Sequence, residues 1–352
     1  MEPGKNAASS MTTGAIDPWV VLNVDGRDPA QDFSGANTGP DPERHAPVNY
    51  HAYAACTAGS FQKTASAVPE SAKRVLVLLR QRNLVAARAA VRQLRDRGCS
   101  VWVSLKESGG LQASELISEP RRWKEFCDVC RSANGCLSST PDLIALYRST
   151  GAQNVVFVPT PYPVDLPDWN FARPLSLRNG IFVGTREFDV LSRRHTIAVA
   201  TAASVAIQKA CRVVVFNPDG KRGEKMLEAI RESTGIGPKL EVIHGRLAYP
   251  DYLRVMATCR VVWQLDRSRV PGQVAGDALL CGVPCVGGDG AIDRIGHPST
   301  HGDGKTDVEL LETLEALMSD AAAYRSVVEA SQAAAHGLLS FGVVARQLDG
   351  LS

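Results

Sequence analysis

The chain has 352 residues, 44% of them hydrophobic and 22% charged, with a formal net charge of +2. That length suits two domains, each able to bury its own core, and the near-zero charge removes any global reason to expect nucleic acid or an acidic membrane as partner. No apolar run approaches the roughly 20 residues that span a bilayer, and residues 1–14 (MEPGKNAASSMTTG) carry one Lys and no apolar stretch, which reads as a mobile tail and not as a signal peptide.

Strand and helix signals then alternate. Trp19–Val24 (WVVLNV) is a compact apolar run, read as a first buried strand, and Ser34–Gly39 (SGANTG) is a Gly/Asn loop after it. Asn49–Cys56 (NYHAYAAC) follows Pro47 as a helix start that carries His51. Lys73–Arg80 (KRVLVLLR) is a clearer strand. Asn83–Arg97 is a helix with Leu84, Ala87, Val91 and Leu94 along one face, Asn83 placed to cap it and Gly98 to end it. Next come a strand at Ser100–Leu105, helical pieces over Ser114–Cys130 broken near Pro120, and a strand at Gly135–Ser139. A helix over Pro141–Ser149 and a strand at Asn154–Pro159 complete this half.

Thr160–Asn179 holds four prolines and little periodicity, so a linker is placed at 166–179 between a first domain over 15–165 and a second over 180–335. Alternation resumes with a strand at Gly180–Val183, a helix around Thr196–Lys209 and a strand at Arg212–Phe216. A helix near Glu224–Thr234, a strand at Leu240–His244 and a short helix at Asp251–Cys259 follow. Asp307–Met318 is an amphipathic helix, and Ala321–Leu348 is further helix with a break near Gly337. Residues 336–352 form a C-terminal helical segment able to return to the first domain. Such alternation implies an α/β protein with two doubly wound, Rossmann-like domains, parallel sheets and helices on both faces.

Nine cysteines, an odd number without a secretion signal, favour reduced thiols and a cytoplasmic setting. Cys127 and Cys130, with Cys136 nearby, lack a second C-x-x-C at metal-binding spacing and read as small buried hydrophobes.

The most informative stretch is Val261–Gly288 (VVWQLDRSRVPGQVAGDALLCGVPCVGG). It reads as a strand, a turn at Pro271–Gly272, a helix over Val274–Leu280 stopped by Gly282 and Pro284, and a second strand. A turn that ends a strand and opens a helix presents free N–H groups and a positive dipole end, which suits a phosphate. This unit resembles the donor-sugar site of GT-B glycosyltransferases, in particular the retaining family with an E-x7-E donor motif. The order of further segments extends the likeness from about Asn134 to Leu348. Leu143–Asp165 is similar to that family's proline-bearing segment, Ile181–Arg186 (IFVGTR) to its F-V-G strand and loop, and Gly245-Arg246-Leu247 with Tyr252 to its G-x-V strand and helix.

The resemblance implies two domains facing a cleft, and a metal-independent transfer of a sugar from a UDP- or GDP-type donor to an acceptor hydroxyl. The acceptor class stays open: a glycan, a small molecule or a modified nucleic-acid base. The nucleotide sugar is a co-substrate, and no cofactor or metal is implied. Arg186 takes the place of the family's first phosphate-binding Arg and would stabilise the departing diphosphate; Arg193 or Arg194 would replace the Lys that follows. Gly272 and Gln273 would offer turn N–H groups, and Asp277 would accept from the ribose hydroxyls. His244 would touch base or phosphate, and Tyr249 and Tyr252 would stack or pack near the base. On the acceptor side stand the loop glycines Gly35 and Gly39, and His51, placed to orient or deprotonate a hydroxyl. Arg269 stands where the family has its first Glu. It cannot accept a hydrogen bond, which points to an anionic donor, direct phosphate contact or a binding protein without catalysis, with Asp266 close enough to take the acidic role. Rival readings are a non-catalytic nucleotide-sugar binder, a nucleic-acid base glycosyltransferase using the Arg-rich 83–97 helix, and a nucleotide-sugar 2-epimerase.

Overall fold

The computed structural model describes residues 16–351 except Ala36, Asn37, Glu107 and Ser108, so the expected tail over 1–14 lies outside the described residues. The first sheet contains β1 (Trp19–Leu22), β2 (Gln31–Asp32), β3 (Ser60–Gln62), β4 (Arg74–Leu79), β5 (Ser100–Leu105), β6 (Gly135–Ser138) and β7 (Val155–Phe157). They lie in the order β2-β3-β1-β4-β5-β6-β7, parallel apart from the short antiparallel β2. Around them are α1 (Tyr50–Ala55), α2 (Leu84–Asp96), α3 (Gly110–Ile117), α4 (Pro120–Ser132) and α5 (Ile144–Ser149).

The second sheet contains β8 (Ile181–Val183), β9 (Val213–Asn217), β10 (Leu240–His244), β11 (Val261–Trp263) and β12 (Cys285–Val286), all parallel, in the order β10-β9-β8-β11-β12. Its helices are α6 (His195–Gln208), α7 (Gly220–Thr234), α8 (Tyr249–Ala257), α9 (Gln273–Leu280), α10 (Ala291–Gly296), α11 (Asp307–Ser319) and α12 (Ala321–Leu338). A last helix, α13 (Phe341–Asp349), crosses to the first domain.

Both sheets are covered on both faces, which is why their strands read as continuous apolar runs. In β4, Val75, Val77 and Leu79 pack with Leu84, Ala87, Val91 and Leu94 of α2. Leu76 and Leu78 face the other way, towards Tyr50 and Tyr53 of α1 and Phe341, Val344 and Leu348 of α13. In the second sheet Phe182, Val214 and Val262 pack against α8 and α9, while Ile181, Val213 and Val261 pack against α6 and α11.

Several local expectations give way. Asn83 does not cap α2; its side chain accepts from Arg80 N–H (2.7 Å) and donates to the carbonyls of Val24 (3.0 Å) and Leu78 (3.1 Å), stitching β4 to its neighbours. The C-terminal helix does break near Gly337 as expected, at Leu339–Ser340, where Tyr162 N–H donates to Leu339 O (2.8 Å). The proline-rich segment is packed, with Trp169 only 1% exposed. Strands β2 and β3 and helix α10 were too short to show a period. Among the described residues no helix is long and apolar enough to cross a membrane.

Topology fixes where a ligand can sit. In the second sheet the chain adds β9 and β10 on one side of β8 and then crosses to place β11 and β12 on the other. Loops leaving β8 and β11 therefore part in opposite directions and open a crevice at the carboxyl ends of these strands.

Candidate functional site

A cavity of about 510 Å³ occupies that crevice. It is lined by the residues that directly follow the strands: Gly184–Glu187 after β8, Pro218 after β9, Gly245–Leu247 after β10, and Gln264, Asp266 and Val270–Gly272 after β11. The start of α9 supplies Gln273 and Val274, and the first domain contributes Asn49 from across the cleft. Asn49 Nδ2 donates to Gln273 Oε1 (3.1 Å) and ties the two domains at the cavity edge.

Gly272 precedes α9 with φ +93°, a left-handed conformation that suits glycine. A Cβ there would lie 2.7 Å from Asp293 Oδ2 and 3.4 Å from the Ile292 backbone, so the turn also requires a missing side chain. Helix α9 opens towards the cavity, and the first-turn N–H groups of a helix have no partner within it. Beneath the turn, Asp293 Oδ1 accepts from Gln264 Nε2 (2.7 Å). Burial and then the neighbouring Asp266 and Asp289 carboxylates push the Asp293 carboxyl up to about 7.

Arg186 lies on the opposite wall. Its guanidinium sits 5.6 Å from the centroid of the Tyr252 ring, and among the described residues it has no carboxylate within ion-pair distance. Below the tyrosines is Asp277, which is 0% exposed. Its Oδ1 accepts from the hydroxyls of Tyr249 and Tyr162 (3.3 Å for the latter). Burial raises this carboxyl to about 6, against the opposing pull of the Tyr249 hydrogen bond and the Arg186 charge. Asp277 therefore supports the aromatic floor under Arg186 and does not reach the cavity surface. The expected ribose contact through its carboxylate is corrected on that ground.

Of the residues singled out in the sequence, Arg186, Arg193, Tyr249, Tyr252, Asp266, Gly272 and Gln273 come together in this one cavity. Arg193 enters it already engaged, bonded to Asp266 and 3.4 Å from Glu187. Arg194 does not enter it: its left-handed backbone (φ 50°) turns the side chain to Asp307, with Nη1–Oδ1 at 2.8 Å. His244 is exposed at the end of β10, 3.7 Å from Glu224, and lines no part of the cavity.

Arg269 is likewise outside the lining. It reaches across the domain boundary to Asp142 (3.1 Å) and also meets Asp303 (3.3 Å), so it acts as a cross-domain tie and touches no cavity ligand position. Arg294 joins the same Asp142 carboxylate. Burial of Asp142 would raise its pKa, but the hydrogen bonds from Arg294 and Thr140 and the charges of Arg294 and Arg269 outweigh that and lower it.

His51 does not line the cavity where the expected base would stand. Its ring is stacked between Phe61 (3.6 Å) and His45 (3.8 Å), Nε2 lies 3.1 Å from Pro29 O, and burial followed by the His45 charge lowers its pKa to about 3. The Gly35 and Gly39 loop also misses the cavity: Trp169 Nε1 donates to Thr38 O (2.6 Å), which fastens the loop against the segment between the domains. Ala36 and Asn37 of that loop lie outside the described residues.

The sequence reading missed Asn49, Gln264 and Asp293. Asn49 adopts φ 53° with ψ −137°, a positive-φ conformation outside the left-handed helical region, and nothing local announces it. For Asp293 a signal existed in the dense glycines of Gly287-Gly288-Asp289-Gly290, which make room for its carboxylate: a Cβ on Gly288 would lie 2.0 Å from Oδ1. All nine cysteines are free, and among the described residues no group of three or more His, Cys, Asp or Glu is arranged to hold a metal ion.

No protein-family profile matches the chain, and no curated protein sequence matches it. Solved structures do. HepE of Anabaena, determined with UDP-glucose, superposes with a TM-score of 0.64 at 13% identity over 94% of this chain and 98% of its own. Sucrose-phosphate synthase of Thermosynechococcus elongatus gives 0.61 at 14% identity over 94% and 97%. The α,α-trehalose 6-phosphate synthase of Burkholderia multivorans gives 0.61 at 11% over 81% and 72%. The chain has the two-domain α/β fold of these GT-B glycosyltransferase structures.

Proposed function

We propose that this chain is a glycosyltransferase that takes a nucleoside-diphosphate sugar, of the uridine type, in the cavity at the β8/β11 switch point and passes the sugar to an acceptor hydroxyl. The observation that carries the reading is the meeting, in one cavity, of an Arg186 guanidinium without a carboxylate partner among the described residues and the Gly272 turn that opens α9. One structural neighbour of the same fold, HepE, was solved both with UDP and glucose and with UDP-glucose, which favours that donor class.

On this reading the diphosphate lies across Gly272 and Gln273 with Arg186 at its flank. The nucleoside extends towards Phe216, Arg246 and Tyr249, which offer aromatic surface and an exposed cation. When the bond between the anomeric carbon and the phosphate oxygen breaks, negative charge grows on that oxygen. Arg186 and the N-terminus of α9 are fixed in place to receive it, without a metal ion. The acceptor oxygen forms the new bond from the side of the first domain, beyond Asn49. The Arg269–Asp142 and Asn49–Gln273 contacts hold the domains together and limit the water that competes with the acceptor.

The test is release of nucleoside diphosphate from a panel of nucleotide sugars, for the native chain, Arg186→Ala and Arg194→Ala. Removing Arg186 is expected to cost about 2–4 kcal/mol of transition-state stabilisation, while Arg194→Ala turns over as the native chain does. Undiminished turnover of Arg186→Ala, or no binding of any panel member by the native chain, overturns the proposal.

A further inference from the structure

A second cavity, of about 470 Å³, lies between the segment joining the domains, the C-terminal end of α9 and the outer face of α12. It shares no lining residue with the donor cavity. Its wall is mainly apolar, with Trp169, Leu279, Leu280 and Val328 facing it, and set into that wall is Arg178.

Arg178 is 8% exposed, yet among the described residues no carboxylate comes within ion-pair distance of it. Its guanidinium lies at the lining, since a Cβ on the cavity residue Gly282 would be 3.5 Å from Nη2. Nε donates to Arg173 O (2.9 Å) and Nη2 to Cys281 O (2.9 Å), so the side chain caps the end of α9. That role leaves Nη1 buried without a hydrogen-bond partner, and the Tyr324 hydroxyl beside it, 4% exposed by residue, also lacks one of normal geometry. A second guanidinium, Arg260, sits 5.4 Å from the Tyr324 ring centroid. Two carbonyl dipoles do not neutralise a buried full charge, and an unmatched buried charge is costly. At the rim Arg173 and Arg325 are exposed and without ion pairs among the described residues, and Glu329 is the single carboxylate of the lining.

We infer that this cavity is a binding site for a small amphipathic organic acid, whose apolar body fills the space beside Trp169 and Val328 and whose carboxylate meets Arg178 and Tyr324. The carboxylate supplies an acceptor to the Arg178–Tyr324 pair, and a counter-charge within the ion-pair distance that Glu329 does not reach. This inference stands independently of the donor reading, because no residue of the donor cavity takes part.

The experiment is calorimetric titration of the full chain with octanoate and 3-phenylpropanoate, beside 1-octanol, 3-phenylpropanol and inorganic phosphate. At least one acid is expected to bind one to one, about tenfold or more tighter than its neutral alcohol, with phosphate alone weaker than the acid. Arg178→Gln loosens the end of α9 and is open to misfolding, so the decisive variant is Val328→Trp, which fills the cavity and leaves Arg178 in place. It is expected to abolish binding of the acid while its thermal unfolding stays cooperative. Absence of saturable binding by both acids, equal binding of acid and alcohol, phosphate binding as tightly as the acid, or native affinity in Val328→Trp overturns the inference.

Discussion

Replacing Asp293 by Asn gives a sharp test of the electrostatics under the donor turn. Asp293 is 3% exposed, accepts from Gln264 Nε2 at 2.7 Å, and lies near the Asp266 and Asp289 carboxylates, with Arg193 paired to Asp266. Its carboxyl is raised from 3.8 to about 7, first by burial and then by those two charges. Between those values the folded chain holds a proton that the unfolded chain has lost. This group's contribution to stability therefore falls as pH rises through the window, and the full penalty stands above it. The shift corresponds to about 4 kcal/mol at most. Asn keeps the shape and the acceptor for Gln264 but cannot ionise. Urea unfolding of both proteins from pH 5 to pH 8.5 should show Asp293→Asn gaining on the native chain by about 3 kcal/mol across that range. Groups other than the neighbouring Asp266 and Asp289 titrate alike in the two proteins and cancel. Parallel stability curves would refute the placement of a strained, buried charge beneath Gly272.

Three further outcomes follow from the geometry. Gly272→Ala puts a methyl group 2.7 Å from Asp293 Oδ2 at φ +93°; it should lose about 1–3 kcal/mol in denaturant unfolding and weaken UDP binding in calorimetry, and native values in both would remove the turn from the site. Asp142→Asn releases Arg269 and Arg294 from their shared carboxylate, so small-angle scattering should show a larger radius of gyration, and unchanged scattering would mean that this tie does not hold the domains. The lowered pKa of Asp142 means its stabilising share is present above 3.8 and disappears as pH falls through the depressed folded value, so opening should also appear in the native chain under strong acid. His51→Gln breaks the ring stack on Phe61 and His45; melting temperature should fall while turnover per folded molecule is kept, and a selective loss of turnover would restore His51 to the chemistry.

The sheets were legible because burial on both faces writes itself as uninterrupted apolar strands, as in Arg74–Leu79. The turn into α9 was legible for a related reason: Pro271, Gly272, Gly282 and Pro284 punctuate a short helix whose ends are fixed by backbone geometry. Side-chain direction was not. Arg193 and Arg194 are neighbours in sequence, yet a left-handed residue between a short 3₁₀ turn and α6 sends one into the cavity and the other to Asp307. Asp277 has the spacing of a ligand-facing residue on α9, but Tyr249 and Tyr252 from α8 and Tyr162 from the inter-domain segment close over it. Such covering depends on segments far apart in the chain, which periodicity cannot register. Arg269 shows the same limit, since its principal partner, Asp142, is 127 residues away.

The most direct test of the account is a crystal structure of the chain saturated with UDP or a UDP-sugar. The account predicts the diphosphate seated over Gly272 and Gln273, its oxygens within hydrogen-bond distance of the first N–H groups of α9 and of the Arg186 guanidinium. A diphosphate bound elsewhere on the molecule, or a cavity holding only water at saturating nucleotide, would contradict it.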